Sequence, residues 1–246
     1  MTQPLSSRNM LSVWEWGQNR HPLDRTLALL SMSLPDLDWE QVSQLPLGQR
    51  DTYLTTLYAA TFSPRIQGTT QCNSCNQLLD FSLNISDIVP PDADRAKPTT
   101  GELKADGYHV HFRLPNTADL VAAAKARDLD TGRQVLVRRC VIRATRNKKD
   151  ESPETLPSGI IAHLAKSMLA QDPQAETLLD FTCPDCHGKW SSLLDISDFL
   201  WSAIRDSVSL LLDEIHTLAN FYGWHEADIL SMTPTRRKWY LRRVIS

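Results

Sequence analysis

Cys72-Asn-Ser-Cys75 and Cys183-Pro-Asp-Cys186 are the stretches whose reading decides the fold. A shift of 111 residues superposes them, and it also carries Leu83, Ile85, Ser86 and Asp87 onto Leu194, Ile196, Ser197 and Asp198. Each CxxC is therefore followed, at the same distance, by Leu-x-Ile-Ser-Asp. A CxxC turn presents two thiolates on one side, and two such turns complete a tetrahedron around Zn²⁺. With a strand leaving each knuckle, the pattern predicts a zinc ribbon split into halves, with residues 76–182 carried between them. The expected ligands are Cys72, Cys75, Cys183 and Cys186, holding a structural ion. Structural zinc contributes roughly 10–16 kcal/mol of apparent binding free energy in small zinc domains.

Other uses of these cysteines fit less well. The bland alternative is four thiols with no metal. A redox CxxC usually opens a helix, whereas both pairs here are expected to lead into strands. Four thiolates leave no open position for catalysis. His187 could replace Cys186 as a ligand, but it is expected only to flank the site. The fifth cysteine, Cys140, lies between apolar residues and reads as a small core residue.

Outward from the knuckles, helical spacing dominates. Pro22 to Leu30 and Leu47 to Phe62 predict helices in the N-terminal third. Leu78 to Ile85 and Tyr108 to Leu114 alternate as strands. Residues 90–107 are polar and proline-rich and read as a loop or linker. Ala118 to Ala126, Gly132 to Thr145 and Gly159 to Ala170 predict helices, with a charged loop over 147–157, and Leu178 to Phe181 predicts a strand. Leu200, Ile204, Val208, Leu211, Ile215, Leu218 and Tyr222 form one apolar stripe on a long helix. Gly223 suits the left-handed residue after it, and Thr233-Pro234 suits the start of a final helix.

The expected fold class is thus α+β, mainly α-helical, with a split zinc ribbon formed by the two knuckles. It divides into an N-terminal helical region over 1–68, the split ribbon over 69–196 with an inserted α+β region over 91–176, and a C-terminal helical region over 197–246.

Composition removes several functions. Among 246 residues only nine are glycine, spaced too widely for GxxxxGK or GxGxxG phosphate loops. The opening residues are polar, without a signal-peptide core, and no apolar run approaches the roughly 18 residues needed to span a bilayer. The expectation is a soluble, cytoplasmic protein with no membrane partner and no small-molecule substrate. The net charge of −3 divides into +5 on the last eleven residues and −8 on the rest. Arg236, Arg237, Lys238 and Trp239 could therefore meet an acidic partner protein or, ranked last, nucleic acid; the plain alternative is a solvated helix whose cations suit its C-terminal dipole. Trp14 and Trp16 are further candidates for a contact surface. His109 and His111 share a strand face with Arg113 and could bind metal or transfer protons. No partner carboxylate stands at a defined spacing, so that face reads as the wet side of a sheet, and no enzyme is expected.

Several runs resemble the baseplate hub assembly chaperone family of T-even-type contractile-tailed phages, and more closely its relatives encoded with phage-like contractile injection systems. They are Trp14-Glu-Trp-Gly17, His21-Pro-Leu-Asp-Arg25, Leu47-Gly-Gln-Arg-Asp51, Phe62-Ser-Pro-Arg65, Tyr108-x-Val-x-Phe-Arg-Leu-Pro115, the second CxxC (Cys183 to Cys186), Asp195-Ile-Ser-x-Phe-Leu-Trp201 and Tyr222-Gly-Trp-x-Glu-Ala-x-Ile-Leu230. Arg236-Arg-Lys-x-Tyr-Leu241 completes the set. The resemblance implies a chaperone that binds a hub, spike or tape-measure protein during tail assembly, without catalysis. Competing readings are a permanent structural component of the baseplate, a zinc-ribbon nucleic-acid binder and, last, a hydrolase using His109 and His111. The apolar helix over 197–222 and the basic C-terminal helix are the expected contact surfaces. The metal reading rests on the cysteines alone and not on the resemblance.

Overall fold

Ser6 and Asp38 each start a helix by accepting a backbone N–H three residues on, and Pro22 pre-sets the first turn of another. The resulting N-terminal helices are α1 (Ser7–Gly17), α2 (Pro22–Ser33), α3 (Trp39–Ser43) and α4 (Leu47–Thr61). The computed structural model describes residues 2–90 and 98–244. After α4 come two antiparallel strands, β1 (Arg65–Gln71) and β2 (Leu78–Asn84). The middle of the chain holds β3 (Thr100–Ala105), β4 (Tyr108–Arg113), α5 (Thr117–Ala123), α6 (Leu129–Cys140), β5 (Val141–Arg146), β6 (Lys149–Glu151) and α7 (Ser158–Gln171). A second antiparallel pair, β7 (Leu178–Thr182) and β8 (Lys189–Leu193), leads into α8 (Ile196–Tyr222), α9 (Glu226–Ser231) and α10 (Pro234–Val244).

Two cores result. The first gathers Leu27, Leu30, Leu54, Leu57 and Ile66 from the N-terminal segment around the stripe of α8. Leu200, Ile204, Val208, Leu211, Ile215 and Leu218 are all buried, as the spacing predicts, each contributing about 1.5–3 kcal/mol of gross burial. The stripe is therefore core and not a docking face. Gly223 ends α8 at φ +69°, a conformation that side chains disfavour.

The second core lies within the middle segment. Strands β3-β4-β5-β6 form one antiparallel sheet, with α5 and α6 between β4 and β5, and Tyr108, Val110 and Phe112 point from β4 toward Val137, Val141, Ile160 and Leu164. A seam of polar contacts joins the two cores. The Leu47 N–H donates to the Pro115 carbonyl over 3.1 Å, and the Gly48 N–H donates to Asp172 Oδ2 over 2.8 Å. A Cβ on residue 48 would collide with that carboxylate, so only glycine permits the approach.

Three sequence expectations are corrected here. The helix expected over 132–145 stops at Cys140, because Val141–Arg146 pair with β4 as a strand. The stretch read as linker contains β3, held by its ladder to β4; residues 91–97 lie outside the described residues. The charged loop over 147–157 contains β6, which pairs with the end of β5. Helices α1, α3 and α9 and strand β1 are additions to the expected set.

Candidate metal centre

Each CxxC forms the tip of an antiparallel hairpin. The Cys72 N–H donates to the Gln77 carbonyl over 2.9 Å, and the Asn76 N–H donates back to the Cys72 carbonyl over 2.9 Å. At the other tip the Cys183 N–H donates to Gly188 over 2.9 Å, and the His187 N–H donates to Cys183 over 3.0 Å. Asn76 and His187 sit in the same left-handed conformation, at φ 61° and 56°. Adding 111 to the pairing Gln71↔Leu78 of β1–β2 gives Thr182↔Lys189 of β7–β8, and the rest of the shorter ladder follows. The repeat in the sequence is thus a repeat of backbone, hydrogen bond by hydrogen bond.

The tips face each other. Cys72 Sγ lies 3.6 Å from Cys186 Sγ, and Cys75 Sγ lies 3.6 Å from Cys183 Sγ. Four sulfurs bonded to one tetrahedral ion at 2.3 Å stand about 3.8 Å apart. All four Sγ atoms fall within 4.8 Å of one another, and the separations are far above a disulfide bond. Cys72 and Cys183 are buried; Cys75 and Cys186 are exposed. A Cβ at Gly188 would press on Ser74 Oγ, at 2.9 Å.

The thiols are set against one another. Backbone N–H groups of Cys75 and Ser74 aim at the Cys72 sulfur and bring its thiol down to about 6. At Cys75 the Gln77 N–H also favours the thiolate, but the neighbouring sulfurs of Cys186, Cys183 and Cys72 together with desolvation outweigh it and push the thiol up to about 12. The sulfurs thus oppose one another's ionisation, and all four could be thiolates together only around a compensating cation. Geometry and donor chemistry both fit a metal ion.

Aromatic packing braces the hairpins. Phe81 of β2 meets Phe181 of β7 edge-on at 5.4 Å, and Phe181 stacks on Trp190 at 5.4 Å. Phe199, in the first turn of α8, reaches Phe81 at 6.1 Å. Beyond the hairpins, Ile85 and Ile196 enter the first core. The knuckles thereby fix where the N-terminal helices and α8 meet.

A family model described as T4 bacteriophage base plate protein matches residues 33–201, which include both knuckles and the whole middle segment. This chain belongs to the T4 bacteriophage base plate protein family. No curated protein and no solved structure matches it. The matched region ends in the second turn of α8, so α1, all of α2 but Ser33, α9 and α10 lie outside it. No helix among the described residues is long and apolar enough to cross a membrane.

The candidate contact residues separate into three kinds. Trp14 is half-buried against the first core. Trp16 is 42% exposed and meets Trp39 edge-on at 6.5 Å, with the Arg20 guanidinium 5.0 Å over its ring. Arg237 faces inward at 3% exposure: Nε donates to Glu214 Oε2 over 2.9 Å, Nη1 to the Met232 carbonyl and Nη2 to Ser7 Oγ. It ties α10 to α8 and α1 and has no access to a partner. Arg236, Lys238 and Trp239 are exposed on the same helix, with Arg243 stacked 3.5 Å over the Trp239 ring.

Sequence reasoning missed Asp119, a fully buried carboxylate held by Arg113 and Arg139. Its one visible signal was the capping pattern Asn116-x-x-Asp119 at the start of α5. Cys140 lies beside it, 2% exposed, its thiol pushed up to about 12 by burial and then by the Asp119 charge. Cys140 will accordingly resist a thiol-alkylating reagent at pH 8 in the native chain and react once the chain is unfolded in urea. Mass spectrometry of the labelled peptides checks this, and equal labelling in both states would contradict it.

Proposed function

We propose that this base plate protein is an assembly chaperone in the cytoplasm of the cell building a phage tail or contractile injection particle. It binds a hub, spike or tape-measure protein and holds it for incorporation. The observation that carries this reading is the family match over residues 33–201. Two features support it: the exposed Trp16–Trp39 edge, and the exposed Arg236, Lys238 and Trp239 of α10, which suit an acidic protein surface. The reading assigns the four cysteines a structural Zn²⁺, because an all-thiolate tetrahedral set favours zinc and leaves it no open position. It assigns the chain no catalysis and no nucleic-acid partner.

The test is purification of mature particles alongside assembly intermediates. A chaperone is expected in intermediates, bound to a hub, spike or tape-measure protein, and absent from finished particles. Fixed stoichiometry in finished particles would instead make the chain a permanent baseplate component. The surface can be tested separately. A triple variant, Arg236→Gln, Lys238→Gln and Trp239→Ala, is expected to weaken capture of the partner at least tenfold, about 1.4 kcal/mol. Its Tm should stay within about 2 °C of wild type, since exposed substitutions usually change stability by under about 0.5 kcal/mol. Undiminished capture would remove α10 from the contact surface.

A further inference from the structure

Strand β4 shows two faces. Tyr108, Val110 and Phe112 enter the second core, while His109, His111 and Arg113 point the other way. The carboxylate that the sequence reading lacked comes from β3. Glu102 stands directly across the ladder from His111. Its Oε2 lies 3.0 Å from His109 Nε2, its Oε1 lies 3.4 Å from His111 Nδ1, and the imidazole rings are 4.4 Å apart. Donors sharing one tetrahedral ion at 2.0–2.1 Å are about 3.3 Å apart. The carboxylate therefore already stands at ligand spacing from both rings. One donor atom from each of the three side chains falls within 4.8 Å of the others.

We propose that Glu102, His109 and His111 form a second metal site, independent of the cysteines, for a divalent first-row transition ion such as Zn²⁺, Ni²⁺ or Cu²⁺. Two imidazoles and one carboxylate are a donor set for such ions and not for Mg²⁺ or Ca²⁺. Two of the three nearby cations have their own anions. Arg113 is drawn to Asp119, and Arg143, across from His111 on β5, is held by Asp150 over 2.9 Å. Lys104 stands two residues from Glu102 on the same face and opposes a cation there. The three donors are 37–53% exposed. A cavity of about 500 Å³ opens beside Glu102 and His111, lined also by Thr100, Gly101 and Arg143. Three donors on one side and open space on the other make an exchangeable site, unlike the closed thiolate set.

The test uses untagged full-length protein and Zn²⁺ alone. After equilibration with excess Zn²⁺ and desalting, elemental analysis is expected to find one more equivalent per chain in wild type than in His109→Ala/His111→Ala. Brief EDTA treatment should remove that difference. Glu102→Gln is expected to weaken the labile site at least tenfold. Glu102 is exposed and the two histidines are half-exposed on the face away from the core, so the variants should keep the wild-type circular dichroism and Tm, and comparing them with wild type isolates this site whatever the cysteines hold. Equal zinc content in wild type and the double variant would overturn the proposal. So would a labile equivalent that survives the double substitution.

Discussion

If the four cysteines hold a structural ion, as proposed above, replacing Cys183 by Ser is expected to release it and to lower the melting temperature by at least about 10 °C. Cys183 is buried, and its sulfur faces Cys75 across 108 residues of sequence, as Cys72 faces Cys186 across 114. An ion at that point would hold together hairpins that chain entropy alone would separate. Its binding free energy is folding free energy, because the unfolded chain offers no preformed site. If only about 5 kcal/mol of the roughly 10–16 typical of structural zinc is lost, a chain of this size melts about 10–20 °C lower, at about 2–4 °C per kcal/mol. Cys75→Ser separates metal loss from packing, since Cys75 is exposed and its change to a hydroxyl empties no core. Cys140→Ser is the control, changing a buried thiol outside the cluster. Native mass spectrometry and calorimetry report the two quantities. A Cys75→Ser chain that keeps its ion and its melting temperature would end the metal reading.

What the sequence disclosed was whatever its own local spacing carries. The CxxC repeat with its Leu-x-Ile-Ser-Asp tail was visible because it is written twice, and the structure repeats the hairpin in the same register. The stripe of α8 was visible because each apolar position falls three or four residues from the last. Features that depend on distant pairing were hidden. Val135, Leu136, Cys140 and Ile142 satisfy a helical period, yet the chain changes to strand at Val141 because β4 offers it a partner. Glu102 lay in a stretch whose prolines and charges suggested a linker, and the inward Leu103 and Ala105 were too few to signal alternation. Arg237 sat in a uniformly basic run; Glu214, its partner, lies two helices earlier, in α8. Asp119 lost its separate identity to the capping pattern it also serves.

Asp119→Ala is expected to destabilise the chain by about 3 kcal/mol near pH 7, with Tm falling by about 6–12 °C. The carboxylate is fully buried and receives Arg113 Nη1 at 2.6 Å, Arg113 Nη2 at 2.8 Å and Arg139 Nε at 2.6 Å. The Asn116 N–H completes the set at 3.1 Å. One group thus joins β4, α5 and α6. Removing one partner of a buried pair usually costs about 3–5 kcal/mol, because the remaining charge is left without compensation. Here the guanidiniums retain some water, with side-chain exposures of 29% and 41%, which places the loss at the lower end. The pH dependence gives a sharper check. Burial raises the Asp119 carboxyl, but the hydrogen bonds from Arg113 and Arg139 outweigh it and hold the group below the usual carboxylate range. A carboxyl lowered on folding contributes stability above its unfolded value, near 4, and loses it as pH falls through the folded value. The stability advantage of wild type over Asp119→Asn should therefore be constant from pH 7 to about 5 and shrink below 4. Asp51, whose carboxyl burial raises, contributes in the opposite sense in both chains and drops out of the difference. Urea unfolding across that pH range measures it. A wild-type advantage that is absent at neutral pH, or unchanged in acid, would show that Asp119 is not held ionised between the two arginines.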